Sequence, residues 1–413
     1  MTFYGIIGTQ NPYDTGGDMQ IASYRFDRVE FAGSLGDLGT LIPLSIALVM
    51  VNGLSFTSVF MLVGIFYCVS GFYFRLPVPV QPLKVVSAIA IAFPDKITLP
   101  VMSATGILFG VFLIFLAGTG LIDRLARFFT KPIVRGIQLG LGFILITKGI
   151  ALIRRPTLFI GNTGELLIFH GLSVNLLVGI SAVVLVLFFL ANRRFPAALV
   201  VVIAGICVGV PFGSFHAMQW NFGPTAIHLF RPHVNDFTTA LFLLVIPQIP
   251  LTIGNAVIGT TDTAQTLFGK GDVTARVSNR SFSLSMGIAN IAVGLLGAMP
   301  MCHGAGGLAA HYRFGARTGG SNIMIGILFI VIALVFGKIG ISLLSSIPNA
   351  VLGVLLLFAG LELALLVRDL RKRQELFITF LIAGIGLATT NMSIAFASGI
   401  VVARLLQWQK IEI

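Results

Sequence analysis

The sequence predicts an all-α polytopic membrane protein with 14 transmembrane segments, arranged as two inverted seven-helix repeats with half-helices at segments 3 and 10. Three observations predict it. The 413 residues are 56% hydrophobic and only 10% charged, with a mean hydropathy of +0.98, whereas roughly a quarter of the residues in a soluble chain are charged. Two apolar segments, one after Pro82 and one after His303, are too short to cross about 30 Å of hydrocarbon at about 1.5 Å per helical residue. Landmarks of the first half also recur in the second: Ile42-Pro43-Leu44-Ser45-Ile46 returns as Ile249-Pro250-Leu251-Thr252-Ile253, and Leu76-Pro77-Val78-Pro79 returns as Met299-Pro300-Met301-Cys302.

Apolar runs separated by polar, Pro and Gly punctuation place the first seven spans near 29–51, 55–75, 80–93, 98–120, 132–153, 173–191 and 196–213. The second seven fall near 237–258, 280–298, 303–314, 320–337, 346–367, 374–390 and 392–408. Residues 1–26 contain no apolar run and read as a cytoplasmic lead-in rather than a signal peptide. Residues 27–213 form the first repeat, 214–236 an external linker, and 237–413 the second repeat. Because seven is odd, the second repeat enters the membrane from the opposite face. Inverted repeats with discontinuous helices at matching positions are a transporter signature, with the substrate near the midplane between the broken elements.

The net charge of +12 comes from 27 Lys and Arg against 15 Asp and Glu. Such a balance suits nucleic acid or the cytoplasmic loops of a membrane protein, and its distribution decides. Nineteen basic residues fall on the side of the termini, among them Arg124, Arg127, Lys131 and Arg135, Arg193 and Arg194, and Arg368, Arg371, Lys372 and Arg373 through to Lys410. Six fall opposite: Lys96, Lys148, Arg154, Arg155, Arg231 and Lys338. This bias reads as termini in the cytoplasm of a plasma (inner) membrane, with the bilayer and no nucleic acid as partner. Arg75 and Lys84 remain near the membrane interior. Cys68, Cys207 and Cys302 are too scattered for a disulfide framework, and the histidines lack metal-ligand spacing, so neither cofactor nor metal is expected.

The half-helices carry the chemistry. Pro77, Pro79 and Pro82 cannot continue a helix inward, and Gly304, Gly306 and Gly307 make one costly, so the chain before each half-helix is expected to be extended and covered by protein. Each half-helix then begins inside the membrane with unpaired N–H groups and a positive dipole end. Two such ends face to face make a seat for an anion. Lys84 adds a full positive charge, and the glycines at 304, 306 and 307 let an oxyanion approach the backbone closely.

Phe31-Ala32-Gly33-Ser34-Leu35-Gly36-Asp37-Leu38-Gly39-Thr40, then Pro77-Val78-Pro79-Val80-Gln81-Pro82-Leu83-Lys84, then Pro300-Met301-Cys302-His303-Gly304-Ala305-Gly306-Gly307-Leu308 with Tyr312-Arg313-Phe314-Gly315, resemble the signatures of the molybdate transporter family related to sulfate permeases. The resemblance runs from about residue 26 to the C-terminus. It implies the fold shared by sulfate permeases, anion exchangers and uracil carriers, with core segments (27–120 and 237–340) moving against gate segments (121–213 and 341–413). It also implies molybdate as substrate, tungstate or sulfate as competitors, and a homodimer through the gate helices. Only a few residues follow the last span, so the C-terminal regulatory domain of the wider sulfate-permease pattern is expected to be absent, as the resemblance implies for the molybdate branch.

Candidate ligands follow from polar residues inside the spans. Asp37 is a carboxylate in span 1, read as orienting Lys84 or exchanging a proton during symport, against the alternative of a packing hydrogen bond. Thr40 lies one turn on. Gln81, just before the first half-helix, both donates and accepts. Gln248 and Asn255 are seven apart on span 8 with Thr252 between them, one polar face beside Pro247 and Pro250 that is read as lining the site, against the alternative of helix-packing hydrogen bonds. His303 precedes the second half-helix and suits an oxyanion as donor, the alternative being a histidine satisfied by a carbonyl. The substrate set is therefore Asp37, Thr40, Gln81, Lys84, Gln248, Thr252, Asn255, His303, Gly304, Gly306 and Gly307.

The function read from these residues is secondary active import of a tetrahedral oxyanion, most simply molybdate, by an elevator-type movement with Asp37 as the proton-coupling candidate. Sulfate or another oxyanion fits the same residues. A nucleobase-type carrier of this fold resembles sites with carboxylates on spans 8 and 10, where only Asp262 stands, near the cytoplasmic end of span 8. An anion channel would give ohmic current rather than saturable uptake, and an enzyme would need a converging catalytic set beyond Asp37, Cys302 and His303.

Overall fold

A computed structural model of the chain describes residues 24–126, 129–159, 167–189, 197–209 and 220–409. The lead-in up to residue 23, loop positions 160–166, linker positions 214–219, and Arg127, Arg193, Arg194 and Lys410 lie outside the described residues.

The first repeat runs α1 (Arg28–Asn52), α2 (Phe56–Phe74), a two-residue strand β1 (Gln81–Pro82), α3 (Lys84–Ala92), α4 (Leu99–Thr119) and α5 (Lys131–Ile153). A short hairpin of β2 (Ile168–Phe169) and β3 (Leu172–Ser173) leads into α6 (Val174–Phe189) and α7 (Ala197–Gly209). The second repeat repeats the order: α8 (Val234–Phe268), α9 (Asn279–Leu295), β4 (Met301–Cys302), α10 (Ala305–Arg313), α11 (Gly319–Ser345), α12 (Asn349–Ala364), α13 (Arg373–Thr389) and α14 (Met392–Gln409). α3 and α10 are nine residues each, about 13 Å, which covers less than half of a bilayer. The two strands pair antiparallel with each other, Gln81 opposite Cys302 and Pro82 opposite Met301, an element the periodicity of the sequence does not announce.

Two helices outrun the lengths expected from hydropathy. α8 continues ten residues past 258 because its threonines return their hydroxyls to the preceding turn: Thr261 donates to the Val257 carbonyl at 2.9 Å and Thr266 to that of Asp262 at 2.7 Å. Polarity ended the apolar run there without ending the helix. α11 continues past 337 because Gly337 and Gly340 are packing sites rather than terminators; a Cβ on Gly340 would lie 2.8 Å from the Phe56 ring.

Glycine decides which helices touch. On α2, Gly64 and Gly71 face Gly326 and Gly319 of α11; on α4, Gly106 and Gly110 face Gly294 and Gly287 of α9; on α5, Gly142 and Gly149 face Gly360 and Gly353 of α12. Spacings of seven residues, or of four for Gly106 and Gly110, keep each pair on one helical stripe, and with no lipid-excluding hydrophobic force to join helices, close backbone approach supplies the dispersion contact. A Cβ on Gly64 would meet the Gly326 carbonyl oxygen at 2.5 Å, one on Gly110 the Gly287 oxygen at 2.7 Å, and one on Gly149 the Gly353 oxygen at 2.5 Å. Adding seven to each helix number exchanges the α2–α11 seam with the α9–α4 seam and returns the α5–α12 seam to itself. The inverted repeat is thus written into the helix contacts.

Valine at Gly149 or Gly353 should lower the melting temperature of the purified chain by several degrees, since over-packing a tight seam costs roughly 1–3 kcal/mol. Alanine at Gly118, where a Cβ would meet nothing within 4 Å, should leave it unchanged.

Candidate functional site

The extended segment before α3 is buried from Leu76 to Leu83. Its backbone needs partners there, because an unpaired polar group away from water costs about 1–3 kcal/mol or more. Prolines at 77, 79 and 82 remove three N–H groups from that requirement. The carbonyls are met one by one by side chains: Pro77 by His311 Nδ1 at 2.9 Å, Val78 by Asn322 Nδ2 at 2.5 Å, Pro79 by His303 Nδ1 at 2.9 Å, and Val80 by the Tyr67 hydroxyl at 3.2 Å. On the partner segment, Asn290 closes Met301 from both sides, its Oδ1 accepting the Met301 N–H at 3.0 Å and its Nδ2 donating to the Met301 carbonyl at 2.7 Å. The Leu83 N–H donates to the Pro300 carbonyl at 2.9 Å, extending the crossing by one bond.

His303 therefore serves the backbone. A carbonyl can only accept, so Nδ1 carries the proton and Nε2 accepts from the Ser285 hydroxyl at 3.2 Å. The ring is fully buried among Phe66, Phe74 and Phe282, with centroids 4.9, 5.7 and 5.3 Å away, and the His303 N–H points at Met286 sulfur. Expected as an oxyanion donor, it is placed behind the crossing with both ring nitrogens engaged.

The ends of the two half-helices are furnished differently. At α3 the first closed turn is the Ser87 N–H on the Leu83 carbonyl, at 2.8 Å. The Val85 and Val86 N–H groups donate to Gln248 Oε1, at 3.0 and 3.3 Å, and Gln248 Nε2 donates to the Thr252 hydroxyl at 2.9 Å. Gln248 and Thr252 are each 1% exposed. α8 reaches across to do this where its winding widens to i→i+5 turns, at Leu241–Val245 and Thr252–Gly259, on either side of Pro247 and Pro250. Asn255, expected on the same face, is half-buried one turn further on.

At α10 the Ala305, Gly306 and Gly307 N–H groups find no acceptor among the described residues, and the first closed turn is the Leu308 N–H on the Gly304 carbonyl at 3.0 Å. Gly306 is exposed, with nothing within 4 Å of where a Cβ would stand, and Gly39 of α1 is likewise open. Gly307 needs its missing side chain: a Cβ would lie 2.6 Å from both Asp37 Oδ2 and Gln81 Nε2. Gly304 is covered by the Gln81 carboxamide in the same way.

Asp37 sits on the single 3₁₀ turn, Leu35–Asp37, that interrupts α1. Both its oxygens accept from Gln81 Nε2, at 2.9 and 2.8 Å, which fixes the orientation of that amide and leaves Gln81 Oε1 without a partner among the described residues. Half-buried Thr40 lies one turn on along the same helix, and half-buried Lys84 acts on the carboxyl electrostatically, with no contact ion pair between them among the described residues. Asp37, Thr40, Gln81, Lys84, Gly304, Gly306 and Gly307 are thus brought together at the opening of α10; Gln248 and Thr252 are brought to α3; His303 is directed away.

Tyr67, Asn290, His311 and Asn322, which hold the crossing, were not singled out in sequence as part of it. The available signal was a side chain with two hydrogen-bonding ends inside an apolar span, as for Asn290 within Gly287-Ile288-Ala289-Asn290-Ile291-Ala292. Glu30 was missed too: it is buried and accepts from the Arg317 and Thr318 N–H groups at 3.0 to 3.3 Å, capping the turn into α11.

The chain matches the family model described as molybdate transporter of MFS superfamily over residues 29–145 and 240–363, blocks that open within α1 and within α8. It is 31% identical to molybdate transporter 2 of Arabidopsis thaliana over 414 residues, covering 93% of this chain and 88% of the relative. With molybdate transporter 1 of Chlamydomonas reinhardtii the identity is 30%, covering 90% of each. Among solved structures, the transmembrane domain of the cyanobacterium bicarbonate transporter BicA superposes with a TM-score of 0.64 at 16% identity, covering 91% of this chain and 98% of that one. The murine Slc26a9 anion transporter in the inward-facing state superposes at 0.67 and 15% identity, covering 94% of this chain and 70% of that one. At those identities the structures speak for the fold, which is that of the two inverted repeats. Family model, full-length relatives and fold agree that this chain belongs to the molybdate transporter family and is an integral membrane transporter rather than an enzyme.

Proposed function

We propose that the chain imports molybdate across the plasma membrane, with its termini in the cytoplasm, as a proton-coupled elevator-type carrier. The observation that carries the reading is the open amino end of α10: three amides without acceptors among the described residues, at Ala305, Gly306 and Gly307, against Asp37, on whose carboxyl the half-buried Lys84 acts. Aligned N–H groups at a helix start, a fixed positive charge, and glycine surfaces that admit close approach suit a tetrahedral oxyanion. The named substrate of the curated relatives supports molybdate within that class.

Spans 1–4 and 8–11 form the moving core and spans 5–7 and 12–14 the gate in this reading. The glycine seams support it, since α2–α11 and α4–α9 join helices within the first group and α5–α12 joins helices within the second. Asp37 supplies coupling. As a carboxylate it stands close to an incoming dianion, so loading is easier once it is protonated, and the proton then travels with the substrate. Uptake accordingly rises as the pH on the entry side falls.

Radiolabelled molybdate uptake into proteoliposomes, with sulfate, tungstate and uracil as competitors, tests the substrate. Tungstate should compete and uracil should not; uracil competition without any effect of tungstate sinks the oxyanion assignment. Lys84→Ala should weaken molybdate binding roughly 10- to 100-fold, the loss of one charge-assisted contact of about 1.5–3 kcal/mol; titration calorimetry reads it directly. Asp37→Asn, which keeps a hydrogen bond to Gln81, should transport without the acid-side rise and without accumulation driven by a pH gradient. Unchanged pH dependence in that variant removes Asp37 from coupling.

A further inference from the structure

Resting on the oxyanion reading, we infer that the substrate seat is one-sided: the anion is held by the α10 amides and Lys84, while Gln248 permanently occupies the amino end of α3 as a built-in neutral stand-in for an oxyanion. Both half-helices are nine residues long and begin inside the protein, so the repeat symmetry alone would make them equal partners. The side chains break that equality. The carboxamide oxygen of Gln248 takes the Val85 and Val86 N–H groups together, the position and donor set an oxyanion oxygen would use. Its other end is pinned by Thr252, and both residues are buried, so the amide has one orientation and no solvent path. Among the described residues no side-chain oxygen takes the corresponding amides of α10, and Gly306 opens to free space.

The choice of a carboxamide has a consequence for selectivity. A neutral acceptor satisfies the α3 amides without cancelling the charge of Lys84, the first residue of that same helix, so the lysine remains available to the substrate. A carboxylate in its place would cap the helix at least as well and would compete with the substrate for that charge. Gln248 then sets how much positive charge the seat offers, although it does not touch the anion.

Hydrogen exchange of the wild-type chain, followed by mass spectrometry with and without molybdate, separates the two ends. Protection gained by the peptide containing Ala305–Gly307 with none gained at Val85–Val86 is the expected result. New protection at Val85–Val86 overturns the inference. Titration of purified Gln248→Glu and Gln248→Met with molybdate supplies the second test. The glutamate variant should stay folded and bind at least about tenfold more weakly, and the methionine variant, which removes any ligand role while sparing Lys84, should bind within about fivefold of wild type or tighter. Wild-type affinity in the first, or a loss beyond about fivefold in a folded second, sinks the one-sided seat. A wild-type chain that binds molybdate, tungstate and sulfate not at all would instead overturn the oxyanion reading on which the inference stands.

Discussion

Everything in this protein depends on how two stretches of non-helical backbone are made tolerable inside a membrane protein. Hydrocarbon offers no hydrogen bonds, so each N–H and C=O of the crossing segments must be answered by protein. The chain uses three devices at once. Prolines delete donors from the first segment, β1 and β4 pair with each other, and Tyr67, Asn290, His303, His311 and Asn322 take most of the carbonyls that remain. Those side chains come from α2, α9, α10, α11 and the turn before α10, so the crossing also ties both repeats together.

The crossing fixes where α3 and α10 begin, and their beginnings carry the electrostatics. Each half-helix end is attended by the first helix of the other repeat: Asp37 of α1 lies against the start of α10, and Gln248 of α8 caps α3. The attendants differ in charge and in fit. The carboxylate is held by Gln81 and leaves the α10 amides free, whereas the carboxamide closes on the α3 amides. Symmetry of the backbone with asymmetry of the side chains gives one open end and one closed end. The glycine seams act at a longer range, bringing α2 against α11 and α4 against α9, and α2, α11 and α9 carry the Tyr67, Asn322 and Asn290 side chains that hold the crossing.

Much of this was legible in the sequence because it is local. Short apolar runs after Pro82 and His303 announce half-helices, and the paired Ile-Pro-Leu-Ser-Ile and Ile-Pro-Leu-Thr-Ile landmarks announce the repeat. Asp37, Gln81, Lys84 and the glycines at 304, 306 and 307 could be chosen because a charge or a flexible turn inside a span is costly unless used. For His303 and Gln248 the sequence left the role open between ligand and internal hydrogen bond, for a common reason. Each was read by what its side chain is able to bind, and histidine and glutamine bind whatever is nearest: a proline carbonyl and a serine in one case, two amides and a threonine in the other. The same holds for the ends of α8 and α11, where hydropathy marked the limit of the apolar run and hydrogen bonding and packing carried the helix on.

The sequence by itself determined a membrane-embedded chain of two inverted repeats with broken third and tenth segments, since span length, helix breakers and hydropathy act over a few residues at a time. Which amide faces which acceptor was decided by the tertiary structure. A hydrogen bond is settled over about 3 Å between groups far apart in the chain, 244 positions for Asn322 and the Val78 carbonyl. Only the packing of helices against one another sets that distance, and so only the fold could tell an open helix end from a closed one.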